Sequence, residues 1–222
     1  MILRTTLLAL LSWTALAQAE GELMVMPASL KVYNNHEHSV TVRNVGDAPL
    51  YLSINLLKVM NPGQEPERKL ALQELDHPGI LASPDKLTLG PGQSRAISLK
   101  SLAEPAAEAL FRLYIVPVRS MQVEQASPDK ISAPMSVAVG YGVLVRHMPP
   151  PAKQHSAWAK RCDAAGMTLE NTGNVRTVLS QVEVAPGAPR LKVALFPGTP
   201  QHFDSKRLSL VADDQPQTLE CP

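Results

Sequence analysis

Met135-Ser136-Val137-Ala138-Val139-Gly140-Tyr141-Gly142-Val143-Leu144-Val145 has a period of two: every odd position is large and apolar, and the even positions are small or polar up to Gly142. Successive side chains of an extended strand point to opposite faces, so this stretch lays one apolar row along one face of a strand. Met148-Pro149-Pro150-Pro151 follows almost at once. Three consecutive prolines lack the N–H groups a ladder needs and favour stiff polyproline II chain. The strand therefore ends at a stiff corner, which is read as a domain boundary.

Upstream of the row, residues 119–134 form a long polar connection, expected to be a surface loop. Before it, Phe111-Arg112-Leu113-Tyr114-Ile115-Val116-Pro117-Val118 is dense in aromatic and β-branched residues and reads as a central strand with Pro117 near its end. The Ala-rich stretch from Glu104 to Ala109 reads as one turn of helix. Further back, Ser39 to Asn44 and Leu50 to Leu56 are extended runs separated by the turn Val45-Gly46-Asp47-Ala48-Pro49. Leu87-Thr88-Leu89, Gly90-Pro91-Gly92-Gln93 and Arg95 to Leu99 repeat the plan, and each set reads as a strand, a tight turn and a strand. Beyond the prolines, Met167 to Asn174, Val175 to Val184, Leu191 to Phe196 and Leu208 to Val211 are short extended segments divided by Gly or Pro. The expectation is all-β: a sandwich over residues 20–148 and a smaller one over 149–222.

Composition agrees. The 222 residues, 45% of them apolar, suffice for one large or two ordinary domains, and 20 Pro with 12 Gly exclude long helical bundles. Twenty-one basic against 20 acidic residues leave a formal charge of +1, which excludes nucleic acid or an acidic membrane as a partner found by net charge. Residues 1–19 have the build of an export signal: Arg4 supplies positive charge, Thr5 to Leu16 is apolar, and Ala17-Gln18-Ala19 has the small-x-small form of a cleavage site. That apolar run is shorter than the ~20 residues that span a bilayer, so cleavage is expected and stable membrane insertion is not. An exported chain meets oxidising conditions, and its two cysteines, Cys162 and Cys221, are expected to form a disulfide contributing about 4 kcal/mol.

Five features occur in order along the chain: Val42-Arg43-Asn44-Val45-Gly46; Ala82-Ser83-Pro84; Leu89-Gly90-Pro91-Gly92-Gln93-Ser94-Arg95; Phe111-Arg112-Leu113-Tyr114; and Leu169-Glu170-Asn171-Thr172-Gly173-Asn174. Together with the signal and the proline break they resemble the periplasmic pilus-assembly chaperones, most closely the alternate or common-pilus branch. The resemblance implies two immunoglobulin-like β-sandwich domains joined at an angle and a non-enzymatic periplasmic role. Such a chaperone caps pilin subunits by lending them a strand and passes them to an outer-membrane usher. A subunit that lacks a strand exposes an apolar groove and open edges, and a donated strand satisfies both. Met135, Val137, Val139 and Tyr141 are then the donor row, while Val143 and Val145 belong to the core of the chain's own sandwich.

In the family, two basic residues hold the pilin's terminal carboxylate. Here the lysine position falls on Leu144, and Pro27-Ala28-Ser29-Leu30 offers no arginine. Lys31, Arg112 and Arg146 are the substitutes, and the choice among them stays open, as does self-association of the free protein. The competing readings are a structural pilus subunit, a surface-exposed adhesion or binding module, and an exported copper or hydrolytic enzyme. No nucleophile elbow, phosphate loop or dinucleotide fingerprint occurs. The six histidines are scattered, with only His36 and His38 spaced to share a strand face, and a metal needs more ligands than that pair. No cofactor, metal or catalysis is expected.

Overall fold

In the computed structural model, residues 21–118 and 139–222 are described. In chain order the first half holds β1 (Leu23–Met26), β2 (Ser29–Val32), β3 (His38–Asn44), β4 (Leu50–Val59), β5 (Lys69–Ala71), β6 (Ile80–Ser83), β7 (Lys86–Leu89), β8 (Ser94–Ser101), β9 (Ala109–Pro117) and β10 (Tyr141–His147). One sheet has the order β1-β3-β8-β6; the other runs β2-β10-β9-β4-β5, with β7 also on β4. The chain changes sheets between β1 and β2, at Pro27: β1 pairs antiparallel with β3, whereas β2 pairs parallel with β10. A proline cannot donate to a ladder, which suits it to the crossing point.

Alternation places the core. Val40 and Val42 of β3, Ile97 and Leu99 of β8, and Phe111, Leu113 and Ile115 of β9 meet between the two sheets and are buried. Val143 and Val145 of β10 lie in register with Leu113 and Phe111 and join them, as expected. Each such side chain contributes about 1.5–3 kcal/mol by leaving water.

Two expectations are corrected. β3 and β4 do not pair with each other, nor do β7 and β8; in both cases the turn carries the chain from one sheet to the other. The turn residues specify a reversal of direction, and a reversal between sheets uses the same residues as a hairpin. The Ala-rich stretch from Glu104 is not helical: the chain is irregular there and enters β9 at Ala109, because its main chain and side chains are engaged by the second half of the molecule, as described below.

That second half contains β11 (Trp158–Cys162), β12 (Met167–Asn171), β13 (Thr177–Glu183), β14 (Leu191–Leu195), β15 (Gln201–Phe203), β16 (Arg207–Ala212) and β17 (Gln215–Glu220). Its sheets have the orders β11-β12-β15 and β14-β13-β16-β17, closed over Met167, Leu169, Leu179, Leu195 and Leu208. The molecule is thus two β-sandwiches. Cys162 and Cys221 form a disulfide with Cα atoms 5.7 Å apart, tying the edge strand β11 to the chain's tail.

An Asn-x-Gly turn occurs at the same place in both sandwiches. Asn44 Oδ1 accepts the Gly46 N–H at 3.1 Å while its Nδ2 donates to the carbonyls of Ala48 (2.7 Å) and Leu89 (3.2 Å). Asn171 Oδ1 accepts the Gly173 N–H at 2.9 Å while its Nδ2 donates to those of Val175 and Leu195, both at 2.8 Å. One buried amide thus satisfies both sides of a turn that leaves the sheet, with donor and acceptor each used. Replacing Asn44 by Ala should cost about 1–3 kcal/mol in urea denaturation, by leaving buried carbonyls unpaired. Asn44→Asp should be worse at neutral pH, since a carboxylate would face two carbonyl oxygens. Its deficit relative to Asn44→Ala should shrink on acidification, when the protonated acid can donate.

Candidate functional site

β10 is an edge for half its length. β2 covers it only from Leu144 to His147, beginning with the Leu144 N–H on the Ala28 carbonyl at 3.0 Å. Tyr141, Gly142 and Val143 pair with β9 on one side and have no strand on the other among the described residues. The side chains of one face change environment along the same line: Val145 is fully buried and Val143 2% exposed, then Tyr141 is 42% and Val139 72% exposed. A single apolar row therefore begins inside its own sandwich and runs out into solvent beside an unpaired backbone edge. Met135 and Val137, the other two members expected in this row, lie outside the described residues.

The opposite face of that sheet looks towards the second sandwich. Val59, Leu110 and Leu144 pack there, with Phe196 and Ala194 from across the junction. Three cations expected to serve a carboxylate all lie on this face, but in different circumstances. Lys31 of β2 is exposed, in register with Arg146, and has no carboxylate in ion-pair range among the described residues. Arg112, at the middle of β9 between Leu57 and Leu144, forms a two-pronged pair with Glu67: Nη2 to Oε1 at 2.6 Å and Nε to Oε2 at 3.2 Å. Its hydrogen bonds hold the Glu67 carboxyl below the usual carboxylate range, and Glu67 in turn raises Arg112. Lys69 also reaches Glu67 at 3.4 Å, and is raised chiefly by the Tyr114 hydroxyl.

Arg146 is committed to the junction itself. Its Nε and Nη2 donate to the two oxygens of Glu108 at 2.6 and 2.9 Å, with the carboxylate fully buried. Glu108 Oε2 also accepts the Arg176 N–H at 2.8 Å, and the Glu108 N–H donates to the Asn174 carbonyl at 2.8 Å. Asn174 completes the seam: its Nδ2 reaches the carbonyls of Lys153 and Ala106 at 2.8 and 3.3 Å, and its Oδ1 accepts the His155 N–H. These bonds account for the irregular Ala-rich stretch. Sequence reasoning missed Glu108 and Glu67, because each lies dozens of residues from its arginine and no local pattern announces the pairing.

His147 closes β10 and is 3% exposed. Ser101 Oγ donates to the Ala103 carbonyl and so accepts from His147 Nε2 at 2.7 Å, which places the imidazole proton on Nε2. Burial pushes this imidazole below its ordinary value. After it, Pro149 is buried and Pro150 is extended, but Pro151–Lys153 forms a short 3₁₀ turn, so the corner is only partly polyproline-like. His36 and His38 lie at the β2–β3 turn, where His38 Nε2 accepts the Tyr33 N–H at 2.9 Å. Among the described residues no three His, Cys, Asp or Glu side chains gather as metal ligands.

No family model matches the chain. Two curated Escherichia coli proteins are similar to it: a CS1 fimbrial subunit, 26% identical over 71% of this chain, and a CFA/I fimbrial subunit, 28% identical over 74%. The matches span 66% and 68% of those proteins, so about two thirds of their length. Among solved structures, the class 5 fimbriae chaperone CfaA superimposes with a TM-score of 0.66 at 22% identity, over 90% of this chain and all of that one. A chain of the chaperone–tip adhesin complex of CFA/I fimbriae gives 0.69 at 20% identity, over 90% and 98%. The chain has the fold of the pilus-assembly chaperones. The two-sandwich architecture is therefore shared with known fimbrial chaperones.

Two outcomes follow from the junction. Glu108→Ala leaves the Arg146 guanidinium buried without a carboxylate and should cost about 3–5 kcal/mol, whereas Glu108→Ala with Arg146→Met should recover much of that loss in urea denaturation. For His147, the folded protein binds the proton less readily than the unfolded chain. Its contribution is therefore fully present above about 6.5, the ordinary imidazole value, and is lost as pH falls below it. Melting temperatures of the wild type should drop more steeply between about pH 6.5 and 5 than those of His147→Asn.

Proposed function

We propose that this chain is a periplasmic chaperone that caps fimbrial subunits by donating the start of β10 and the residues before it, then delivers them to an outer-membrane usher. The observation that carries the reading is the apolar row that leaves its own core at Val143 and reaches solvent through Tyr141 and Val139 along an uncovered strand edge. An unpaired edge supplies backbone donors and acceptors, and alternate side chains supply an apolar plug, which together are what an incomplete sandwich lacks. Met135, Val137, Val139 and Tyr141 are the proposed donor row, with residues 1–19 as the cleaved export signal. Lys31 is the leading anchor for the subunit's terminal carboxylate because its ammonium meets no carboxylate among the described residues. Arg112 is the second, while Arg146 could serve only by giving up Glu108. The role is one of binding, without catalysis. Support comes from the shared fold and from the chaperone–tip adhesin pairing in one of the similar structures.

A structural fimbrial subunit is the second reading, and the names of the two curated relatives favour it. Co-expression with fimbrial subunits encoded beside the chain separates the two. A chaperone should co-purify with its client and stay out of assembled fibres, and Val137→Glu with Val139→Glu should lose the client while the protein remains folded. Val139 is 72% exposed, so a charge there should leave the melting temperature unchanged. Unchanged recovery of the client would sink the donor row; incorporation of the chain into fibres would establish the second reading.

A further inference from the structure

The connection between β4 and β5 is built around Glu67. Asn61, itself 6% exposed, binds the main chain on both sides of it, donating Nδ2 to the Pro66 carbonyl at 3.0 Å and accepting the Arg68 N–H on Oδ1 at 2.6 Å. The same loop is held from the far side of the cleft, where Gln64 Nε2 donates to the Pro200 carbonyl at 3.0 Å and Gln201 Nε2 to the Gly63 carbonyl at 3.1 Å. Gly63 has φ +84°, and a Cβ there would lie 2.8 Å from the Ala194 carbonyl, so only glycine fits that contact without strain. The backbone at Glu67 is thus positioned from two directions before its side chain makes any contact.

The side chain then does to Arg112 what a chain-terminal carboxylate would do. It presents two oxygens to the guanidinium fork in the geometry planar recognition favours. The partly buried Leu57 and Leu144 flank the arginine in register, so the pair lies on an apolar floor that strengthens it relative to open water. Lys69 and the ring of Tyr114 border the same spot, with Lys69 Nζ 5.5 Å from the ring centre. The Arg112 side chain remains 30% exposed and Glu67 14%, so an incoming carboxylate can reach the fork and solvent can receive the displaced one.

We infer that Glu67 is a built-in competitor: it occupies the Arg112 fork in the empty protein, and the terminal carboxylate of a bound extended peptide must displace it to gain Arg112 as a second anchor beside Lys31. This rests on the reading of the β10 edge as a strand lent to an extended segment of a subunit and adds a threshold to it. A peptide that merely carries a carboxylate gains little by exchanging one ion pair for another. One that also pairs along the β10 edge gains the ladder, and so is selected for both features at once.

The test uses the full chain and its Glu67→Gln variant, titrated with the extended hexapeptide acetyl-Thr-Val-Thr-Val-Thr-Val as the free acid and as the C-terminal amide. The readout is the NMR signal of the Arg112 Nε–H group. Removing a charged competitor should let the free acid shift this signal at about tenfold lower concentration in Glu67→Gln than in the wild type, while the amide leaves it unmoved in both. Equal midpoints in the two proteins, an amide as effective as the acid, or no response to either peptide would overturn the inference. A variant that melts at lower temperature with no change in the acid-to-amide preference would make the pair purely structural, and would equally overturn it. Because co-purification of fimbrial clients is measured separately, failure of strand donation and failure of the Glu67 competitor give different results.

Discussion

β10 is held by β9 along all seven of its residues but by β2 along only four, and the consequences of that unequal pairing run through both halves of the molecule. Where both neighbours are present, Val145 is sealed into the core, Arg146 is turned into the junction and His147 is buried beside Ser101. Where β2 is missing, the strand keeps its direction because β9 continues, yet one line of backbone groups has no ladder. A strand with no partner at all would not hold its register, and one with two would have nothing to offer. Register matters because a slip by one residue would turn the apolar row to the opposite face. The deep packing of Val143 and Val145 against Leu113 and Phe111 therefore fixes the face on which Tyr141 and Val139 appear.

The junction is assembled at one end of this same β9–β10 pair, where the end of β10 lies beside the start of β9. Arg146 lies next to the end of β10 and Glu108 just before β9, and their buried pair is shared with main chain of the second sandwich. A second set of bonds from the β4–β5 loop reaches Pro200 and Gln201 on the far side. Contacts at two separated places resist rotation better than a single corner could, so the prolines need not supply rigidity alone. That makes sense of the 3₁₀ turn at Pro151, which relaxes the polyproline geometry while Gln154 Nε2 caps the Pro149 carbonyl at 2.7 Å.

Much of this was legible in the sequence, for reasons that differ by element. The period-two row is matched by a strand from Tyr141 onward, where β10 begins, and Val143 and Val145 are core as its parity demands; Val139 and Gly140 lie ahead of the strand, and positions 135–138 lie outside the described residues. The Asn-x-Gly turns at Asn44 and Asn171 were visible as local segments because one amide does local work in each. What failed was anything that depends on which sheet a strand joins: the turns after Asn44 and Leu89 have hairpin-like residues yet lead between sheets. The Ala-rich stretch at 104–109 was misread because helix propensity is a weak preference, and the hydrogen bonds of Glu108 and Ala106 to the second sandwich outweigh it. Arg112 and Arg146 stand out in the sequence as basic residues on the strands that face the second sandwich, but the carboxylates that answer them lie 45 and 38 residues away.

An exposed apolar row on an open edge is a hazard for any protein, since it templates pairing with other chains. Several features confine that hazard here. The uncovered stretch is short: among the described residues it is limited to the beginning of β10. Its even positions are Gly140 and Gly142, which present no side chain for a second apolar face. On the sheet's other face, Arg112, Glu67 and Lys69 place charge where the sheet turns toward the second sandwich. In the proposed capping role, selectivity then follows without a large net charge. There a partner would match the backbone direction and alternate its apolar side chains, and it would also bring a carboxylate to a fork that already holds one.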